Sequence, residues 1–248
     1  MKNQDFESRM RGGEFFHSLR VPEENWTVLR LDGRGFSKFT AERFEKPFDS
    51  KFHELMLLAA EALLEEFNAV MAYTESDEIS VLLPFQWDFF DREVEKVLSI
   101  SASVASSVFS VALGEPAQFD SRIWIAGLEE TVVDYFCWRQ NDATRCALNG
   151  WAYWTLREDG LSAQEATVQL TGRNSSEKQE LLFQKGINFN DLPGWQKRGS
   201  LISWGVTEKV GFNPMTSQEV VVERRALKRH EDLPHGDEYR NFLRERLR

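Results

Sequence analysis

The first half of the chain alternates between strand-like and helix-like patterns of apolar residues. Residues 26–31 are rich in strand-forming side chains and end at the turn pair Asp32-Gly33. Between residues 50 and 68 apolar side chains recur every three or four positions, with glutamates between them, which predicts an amphipathic helix. We expect Asp49, or the serine that follows it, to cap the start of this helix.

The next patterns complete a predicted sheet. Residues 70–73 and 79–83 predict two short strands, and the polar residues between them predict that the two strands form a hairpin. Residues 92–113 predict a second helix with a face of small side chains, and the alternation around Ile123 and Ile125 predicts another strand. A helix between strands favours an α+β fold, with helices packed on one face of a mixed or antiparallel sheet.

The second half of the chain is predicted to be mainly helical. Residues 129–157 have the pattern of one long helix or of two shorter ones. Two spacings that are typical of a capping box mark further helix starts, Ser162 with Glu165 and Ser176 with Gln179. The last stretch of the chain mixes charges of both signs and has no clear periodicity.

Composition is typical of a globular protein, since 42% of the 248 residues are hydrophobic and 12% are aromatic. No apolar run approaches the ~20 residues of a membrane helix, and no apolar stretch follows the charges of the N-terminus. We therefore expect a cytoplasmic protein with no membrane segment and no signal peptide. Cys137 and Cys146 lie outside any CxxC motif and lack a nearby histidine pair, which favours reduced thiols over a disulfide or a zinc site.

Charge is unevenly distributed along the chain. The sequence has 40 acidic and 30 basic residues, a formal net charge of −10. Residues 41–95 contain 14 acidic and 4 basic side chains, whereas the remainder has 26 of each sign. The acidic pI thus describes one segment, and it does not exclude a polyanion bound elsewhere on the protein.

Two carboxylates are expected at strand ends. Asp32 follows the first strand, and Asp77 lies in the predicted hairpin. If the first strand pairs beside the hairpin, both carboxylates meet at one edge of the sheet, where hard oxygen ligands suit Mg²⁺. Two such ions, roughly 3.5–4 Å apart, would activate an attacking oxygen and stabilise a leaving pyrophosphate. The alternative is that Asp-Gly is only a turn and that Asp77 lies in a polar loop.

The residues after Asp32 are compatible with a phosphate-binding turn. Gly33, Arg34, Gly35 and Ser37 let backbone amides approach phosphate oxygens. Phe36 is a candidate for stacking on a base, and Lys46 for neutralising a triphosphate. Each feature alone also fits an ordinary turn or a solvated lysine.

Taken together, six segments resemble the tRNA-histidine guanylyltransferase family of template-dependent polymerases, which add nucleotides in the 3′-to-5′ direction. In chain order they are RLDGRGFSKFT, FEKPFDS, AYTESDEISVLL, FDSR, CWRQND and TGRNSSEKQELLF, between residues 26 and 202. The resemblance implies a palm-like sheet with helices packed on it and a single catalytic domain over residues 1–248. Its palm-like core would span about residues 20–130, and a helical RNA-binding or assembly part about residues 131–248.

The resemblance also implies a site. It assigns two or more Mg²⁺ ions to the side chains of Asp32 and Asp77 and to the Gly33 carbonyl, with Glu78 as a neighbouring catalytic carboxylate. Nucleotide contacts are implied for Asp32, Gly33, Arg34, Gly35, Phe36, Ser37, Lys46, Asp49, Ser76 and Asp77. Contacts with RNA phosphates are implied for Lys96, Arg122, Arg139 and Lys178.

The family's reaction suggests the partners. Its members activate the 5′-monophosphate of a tRNA with ATP, and the 3′-hydroxyl of an incoming nucleotide then displaces AMP; a 5′-triphosphate end needs no activation. Pairing with the opposite RNA strand would select the nucleotide. The expected partners are therefore the tRNA 5′ end, ATP, GTP and other nucleoside triphosphates, with a homotetramer built as a dimer of dimers.

One departure bears on the choice of substrate. Many eukaryotic members carry H-I-N-N shortly after W-R-Q, where this chain has Thr144-Arg145-Cys146-Ala147. This favours the family's "like" branch, which repairs 5′-truncated tRNAs by Watson–Crick templating, over the alternative of adding the extra 5′ guanosine to histidine tRNA. A nucleotidyl cyclase-like enzyme and a non-catalytic RNA-binding module are further alternatives.

Overall fold

The centre of the molecule is a six-stranded sheet. The computed structural model describes residues 2–213, 215 and 218–247. Within these residues the strand order is β4-β1-β3-β2-β5-β6, and every neighbouring pair is antiparallel. The strands are β1 (Trp26–Gly33), β2 (Met71–Glu75), β3 (Glu78–Leu82), β4 (Phe119–Ala126), β5 (Ser200–Asn213) and β6 (Gln218–His230).

Nine α-helices surround this sheet in the part of the chain that the structure describes. They are α1 (Lys2–Arg11), α2 (Phe36–Arg43), α3 (Ser50–Glu66), α4 (Val94–Leu113), α5 (Glu129–Glu158), α6 (Ala163–Leu170), α7 (Ser175–Gln184), α8 (Gly194–Arg198) and α9 (Gly236–Leu247). The predicted α+β class, the strand positions in the first half and the placement of the hairpin beside the first strand are all confirmed.

Helices cover both faces of the sheet, so the expectation of helices on one face only is wrong. Leu29 and Leu31 of β1 pack with α3 and α4 in one buried cluster. Val28 of the same strand packs with α5 and α9 in a second cluster on the opposite face. Successive residues of a strand point to opposite faces of the sheet. Because β1 has apolar side chains at both odd and even positions, helices must pack on each face of the sheet to bury them.

Local capping chemistry sets where the helices begin. The Asp49 side chain accepts hydrogen bonds from the backbone amides of Lys51 and Phe52, and it caps α3 as predicted. The capping box of Ser162 and Glu165 opens α6. The box that opens α7 consists of Asn174 and Glu177 instead of Ser176 and Gln179, because asparagine is an equally good N-cap two residues earlier.

The long β5–β6 hairpin was not predicted, and it adds two strands to a second half that was expected to be mainly helical. Its base extends the central sheet, where residues 200–203 of β5 pair with residues 71–74 of β2. Farther out the two strands pair only with each other within the described residues. Val206, Val210 and Val221 are exposed there. A two-stranded ribbon with solvent on both faces lacks the alternation that marks a half-buried strand.

The α4 helix lies within the predicted range of residues 92–113, and it is more apolar than the sequence analysis expected. An 18-residue window within this 20-residue helix has a mean hydropathy of 1.6, which by length and composition alone suits a membrane span. Its residues Val97, Ala105 and Phe109 are buried in the core beneath the sheet. Ser101 donates a hydrogen bond to Ser121 of β4 at 2.8 Å. These contacts pack one side of α4 against the sheet.

Candidate active site at the sheet edge

Four carboxylates lie side by side across the end of the sheet. Strand register pairs Asp32 of β1 with Asp120 of β4 on one side and with Glu78 of β3 on the other. Glu78 in turn pairs with Glu75 at the end of β2. Directly paired residues project from the same face, so the four side chains form a row, here called the carboxylate row. This alignment requires compensating charge.

Three arginines supply that charge. Arg122 of β4 contacts Asp120 at 2.7 Å and lies 4.0 Å from Asp32. Arg139 of α5 reaches down to the other half of the row, with 2.7 Å to Glu78 and 2.9 Å to Glu75. Arg30, two residues before Asp32 in β1, lies 3.9 Å from Glu78. Asp32 lies 4.0 Å from its arginine and keeps 47% of its side chain exposed, whereas Glu78 and Glu75 are 13% and 8% exposed.

The structure corrects the role predicted for Arg139. Its side chain is 7% exposed, and its guanidinium is occupied by Glu75, Glu78 and Asp142. A buried cation that neutralises buried carboxylates is not available to an RNA phosphate. Arg139 instead orients Glu78, which places that carboxylate beside Asp32 and away from direct solvent.

Glu75 belongs to this cluster although sequence reasoning did not single it out. Burial and the negative charge of Glu78 raise the pKa of Glu75 to about 8, against the opposing effect of Arg139. Its signal in the sequence is weak, because a glutamate before a polar turn is common. Only the strand register shows that it lies in the carboxylate row.

Asp77 meets Asp32 at the sheet edge, as the pairing of β1 beside the hairpin predicts. Ser76 takes the left-handed conformation (φ 48°) in the two-residue turn between β2 and β3. The backbone amide of Gly33 then donates to the carbonyl of Asp77 at 3.0 Å, which ties the end of β1 to the turn. Burial and the negative charge of Asp32 raise the pKa of Asp77, while Lys46 opposes the shift.

Gly33 is needed because an aromatic ring occupies the space of a side chain. A Cβ at this position would lie 2.4 Å from ring carbons of Phe36. Phe36 is 2% exposed and packs against Phe39, Phe109 and Phe119. The prediction that its ring stacks on a base is therefore wrong for this structure, since both ring faces are used by the core.

A cavity of about 280 Å³ opens beside Asp77. Lys46 lines it and donates a hydrogen bond to Thr40 at 2.7 Å. Burial lowers the pKa of Lys46, against the attraction of Asp77 and Asp49. The structure therefore brings several predicted residues to one cavity, and it adds aromatic residues of α5 and α8 that were not predicted. From the prediction these are Phe36, Ser37, Lys46, Asp49, Ser76 and Asp77, and the additions include Trp154 and Trp195.

Asp49 lines the cavity, but its carboxylate is already occupied. One oxygen accepts from the amides of Lys51 and Phe52, and the other accepts from the amide of Glu45 at 2.9 Å. Burial alone would raise the pKa of Asp49, but the three amide hydrogen bonds hold it below its usual value. In this structure Asp49 caps α3 and shapes the loop that carries Lys46.

The remaining predicted residues lie outside the cavity. Arg34 is exposed, and its side chain donates to Gln118 at 3.3 Å. Lys96 pairs with Glu93 at 3.2 Å, and both line a separate groove next to the N-terminal segment. Lys178 is exposed on α7 and donates to Asn149 at 3.0 Å. The structure does not bring Lys96 or Lys178 to the carboxylate row.

The donor set at the sheet edge fits a hard divalent cation. Asp32 and Asp77 offer two carboxylates, and burial together with the charge of Asp32 raises the pKa of Asp77. Within the described ranges no group of three or more histidine, cysteine, aspartate or glutamate side chains is arranged to hold a metal on its own. Mg²⁺ is commonly held by one or two carboxylates, with water and substrate phosphates completing its shell.

Comparisons with known protein families match nearly the whole chain. A family model described as tRNAHis guanylyltransferase matches residues 7–127, and a model of the Thg1 C-terminal domain matches residues 130–237. A probable tRNA(His) guanylyltransferase of Dictyostelium discoideum is 36% identical over 206 residues, which cover 76% of this chain and 80% of that protein. One of Drosophila melanogaster is also 36% identical, over 71% of this chain. The chain matches 66% of the Drosophila protein's length.

Solved structures agree with the sequence matches. A bacterial tRNA(His) guanylyltransferase-like protein in complex with ATP superposes with a TM-score of 0.76 at 26% identity, over 98% of this chain and 99% of that one. The Saccharomyces cerevisiae enzyme superposes with a TM-score of 0.70 at 28% identity, over 82% of this chain and 91% of that one.

The fold is of the α+β class, an antiparallel sheet with paired carboxylates at its edge and a cavity beside them. Within that class, the chain belongs to the tRNA-histidine guanylyltransferase family. The family resemblance carried by the sequence motifs is thereby confirmed.

Proposed function

We propose that this protein is a template-dependent 3′-to-5′ nucleotidyltransferase that acts on the 5′ end of tRNA. The observation that carries the proposal is the meeting of Asp32 and Asp77 beside a cavity that contains Lys46. Two neighbouring carboxylates and a lysine are the groups that phosphoryl transfer requires, because its catalysis consists mainly of positioning and charge stabilisation. A bacterial relative of similar structure was solved in complex with ATP, which supports a nucleotide as the ligand.

Each part of the site has a task in this proposal. Asp32, Asp77 and the Gly33 carbonyl would hold Mg²⁺, which would neutralise phosphate charge when bound. Lys46 and the small residues after Asp32 bind the triphosphate of the nucleotide in the cavity. Arg139 keeps Glu78 in place next to this centre through an ion pair, in which its Nε lies 2.7 Å from the Glu78 Oε1.

The proposed chemistry has two displacements at phosphorus. An oxygen of the tRNA 5′-phosphate attacks the α-phosphorus of ATP, a new P–O–P bond forms, and pyrophosphate leaves. The 3′-hydroxyl of the incoming nucleotide then attacks the activated 5′-phosphorus, its proton is released to solvent, and AMP leaves. With a 5′-triphosphate end the same attack releases pyrophosphate directly.

The preferred substrate in this proposal is a 5′-truncated tRNA. Thr144 and Arg145 stand where many eukaryotic members have the first residues of H-I-N-N, and they are committed to contacts within α5. Thr144 donates to the carbonyl of Gln140 at 3.1 Å, and Arg145 pairs with Asp142. A second candidate function is addition of the extra guanosine to histidine tRNA. It is favoured by the names of the Drosophila and Dictyostelium relatives, which are probable tRNA(His) guanylyltransferases.

Assembly as a dimer of dimers is part of the same proposal. The N-terminal segment exposes several large apolar side chains that would favour self-association: Phe6, Met10, Phe15, Phe16 and Leu19. Sedimentation equilibrium measures the assembly state directly, and a monomer at micromolar concentration would contradict this part of the proposal.

The function is tested with a tRNA that lacks its first nucleotide and carries a 5′-monophosphate. We expect the protein, with ATP, Mg²⁺ and nucleoside triphosphates, to extend this RNA by one nucleotide. Asp77→Asn should abolish extension, whereas Phe183→Leu, an exposed position on α7, should leave it unchanged. Absence of extension by the wild-type protein, or full activity of Asp77→Asn, would refute the proposal.

A further inference from the structure

A surface groove of about 660 Å³ lies between α5, α7, α8 and the start of α9. Three of the side chains that line it are cations, Arg145, Lys197 and Arg198, and His235 is exposed at its rim. None of the described residues that line it is acidic. In a chain with a net charge of −10, a groove lined by cations and by no carboxylate is suited to an anionic ligand. It is here called the cationic groove.

Lys197 lies at the bottom of the cationic groove, with only 8% of the residue exposed. Its ammonium group donates a hydrogen bond to the carbonyl of Asn190, and it has no carboxylate within 4 Å among the described residues. Burial lowers the pKa of Lys197, and the neighbouring charge of Arg198 adds to this effect. A lysine buried to this extent is normally paired with an anion. Its position in an open groove therefore points to an anion that binds from outside.

The rim of the cationic groove offers further donors. Asp142 accepts hydrogen bonds from Nε and Nη2 of Arg145, whereas Nη1 has no partner among the described residues. Neutral amide and hydroxyl side chains complete the rim: Asn141, Ser175, Gln179 and Asn190. Cations together with neutral hydrogen-bonding side chains are the groups that contact the phosphates and sugars of nucleic acids.

The cationic groove opens at the same edge of the sheet as the carboxylate row. Strand β2 ends at Glu75, and the antiparallel β5 begins at Ser200, directly after the lysine and arginine of the groove. From Asp32 of β1 the strand order runs through β3 and β2 to the start of β5. Three strand spacings correspond to about 14 Å. Helix α5 also links the two sites, since Arg139 contacts the row and Arg145 follows about 9 Å farther along the helix axis.

We infer that the cationic groove binds backbone phosphates of the RNA substrate, about four to five base pairs from the reacting 5′ end. The inference rests on the proposed function and adds a second contact surface to it. At roughly 3 Å of helix axis per base-pair step, 14 Å corresponds to this number of base pairs. Phosphate contacts fix position without reading sequence. They also leave the face of the terminal base pair open, where the incoming nucleotide pairs with the opposite strand.

The inference is tested by the binding of a 5′-truncated tRNA, followed by fluorescence anisotropy over a salt series. Lys197→Met keeps the apolar stem and removes the charge. We expect it to weaken binding by about 5- to 20-fold and to make the salt dependence less steep by about one phosphate contact. Arg145→Gln changes an exposed side chain, and we expect it to weaken binding by about 2- to 5-fold. The dissociation constant for ATP should change less than twofold in both variants.

A matched control separates a groove contact from a change in net charge. Lys185 follows the last residue of α7, does not line the cationic groove and pairs with Asp159 at 2.7 Å. We expect Lys185→Met to bind the RNA as the wild type does. Equal weakening by Lys185→Met and Lys197→Met would overturn the inference. Unchanged RNA affinity in both Lys197→Met and Arg145→Gln would overturn it as well.

The position of the contact is tested with an RNA in which methylphosphonate linkages remove the charges of about the first five base pairs. The wild-type protein should bind this RNA as weakly as Lys197→Met does, because the phosphates that the lysine contacts are neutral. The difference in affinity between the two proteins should therefore disappear. A difference that persists in full would place the contact on other phosphates and overturn the inference.

A free nucleotide carries the same phosphate chemistry, and ATP binding separates the two sources. Weaker ATP binding by Lys197→Met with unchanged RNA affinity would assign the groove to a nucleotide and overturn the inference. If the wild-type protein extends the truncated tRNA and Lys197→Met does so with the same KM for RNA, only this inference fails. If the wild-type protein binds the RNA and does not extend it, the proposed function fails.

Discussion

Single residues at the sheet edge are arranged for charge, at some cost to the isolated fold. Asp32 and Asp77 repel each other, and this repulsion together with burial raises the pKa of Asp77. A divalent cation between them would remove the repulsion. Residues that serve a bound ligand in this way are commonly less than optimal for stability.

The first prediction concerns the stability of Asp77→Asn in the absence of divalent metal. The native pKa of Asp77 lies above its ordinary value, so the ionised carboxylate destabilises the fold at a pH above both values. The neutral amide avoids this effect. Thermal unfolding at pH 8 with a chelator should therefore give a Tm equal to or above that of the wild type, although activity is lost. A clear fall in Tm would show that Asp77 is structural.

At the level of elements, turns and helix ends place the site. The turn between β2 and β3 presents Asp77, the end of β1 presents Asp32, and α5 delivers Arg139 to Glu78. The loop before α3 carries Lys46, and its shape depends on the cap formed by Asp49.

The second prediction separates capping from nucleotide contact at Asp49. Asp49→Ala should lower the free energy of unfolding by about 1 kcal/mol, because three backbone amides lose their acceptor. Asp49→Asn should keep most of that stability, since asparagine is a comparable N-cap. Chemical denaturation measures both. If Asp49→Asn unfolds like wild type but binds ATP at least tenfold more weakly, the carboxylate has a direct role with the nucleotide.

The third prediction concerns the contact between β6 and α9. Burial and the nearby charges of Arg246 and Lys228 lower the pKa of His230 to about 4. Between pH 6.5 and 4 the unfolded chain takes up a proton at His230 that the native state does not, so stability falls as pH falls through this window. In His230→Asn the free energy of unfolding should fall less steeply over the same window. Identical pH profiles would contradict the assignment.

The elements differ in how far sequence could predict them. Strands β1 to β4 and helices α3 to α5 each bury apolar side chains at regular spacings. The periodicity of these apolar residues therefore predicts the elements from sequence. The β5–β6 hairpin has solvent on both faces over most of its length, and its pattern is uninformative. Within the site, the positions of Asp32 and Asp77 are predictable because both residues lie at strand ends. The burial of Phe36 and Arg139 depends on tertiary packing, and the place of Glu75 in the carboxylate row depends on strand register, so sequence alone does not predict them.

For the whole molecule, the net charge of −10 has a structural explanation. The whole acidic excess lies between residues 41 and 95, which contain α3 and the hairpin with Glu75, Asp77 and Glu78. Part of it is paired across the structure, since Arg229 of β6 contacts Glu54 and Glu61 of α3. An acidic pI is thus compatible with an RNA substrate that approaches a different surface.

The fourth prediction follows from this charge distribution. Few free cations adjoin the site, so binding of unrelated RNA without Mg²⁺ should be weak. The logarithm of the binding constant should fall with the logarithm of the salt concentration with a slope of about −1 to −3, as for a few phosphate contacts. Fluorescence anisotropy over a salt series measures this slope. Tight binding of arbitrary RNA with a much steeper slope would indicate an extensive basic surface.

The most direct test of the central claim is templated addition. Four tRNAs would be prepared that lack the first nucleotide, carry a 5′-monophosphate and differ only in the base opposite the missing position. With ATP, Mg²⁺ and all four nucleoside triphosphates, we predict that the added nucleotide is the Watson–Crick complement of that base in each case. Addition of guanosine whatever the opposite base, or no addition to any of the four, would contradict the account.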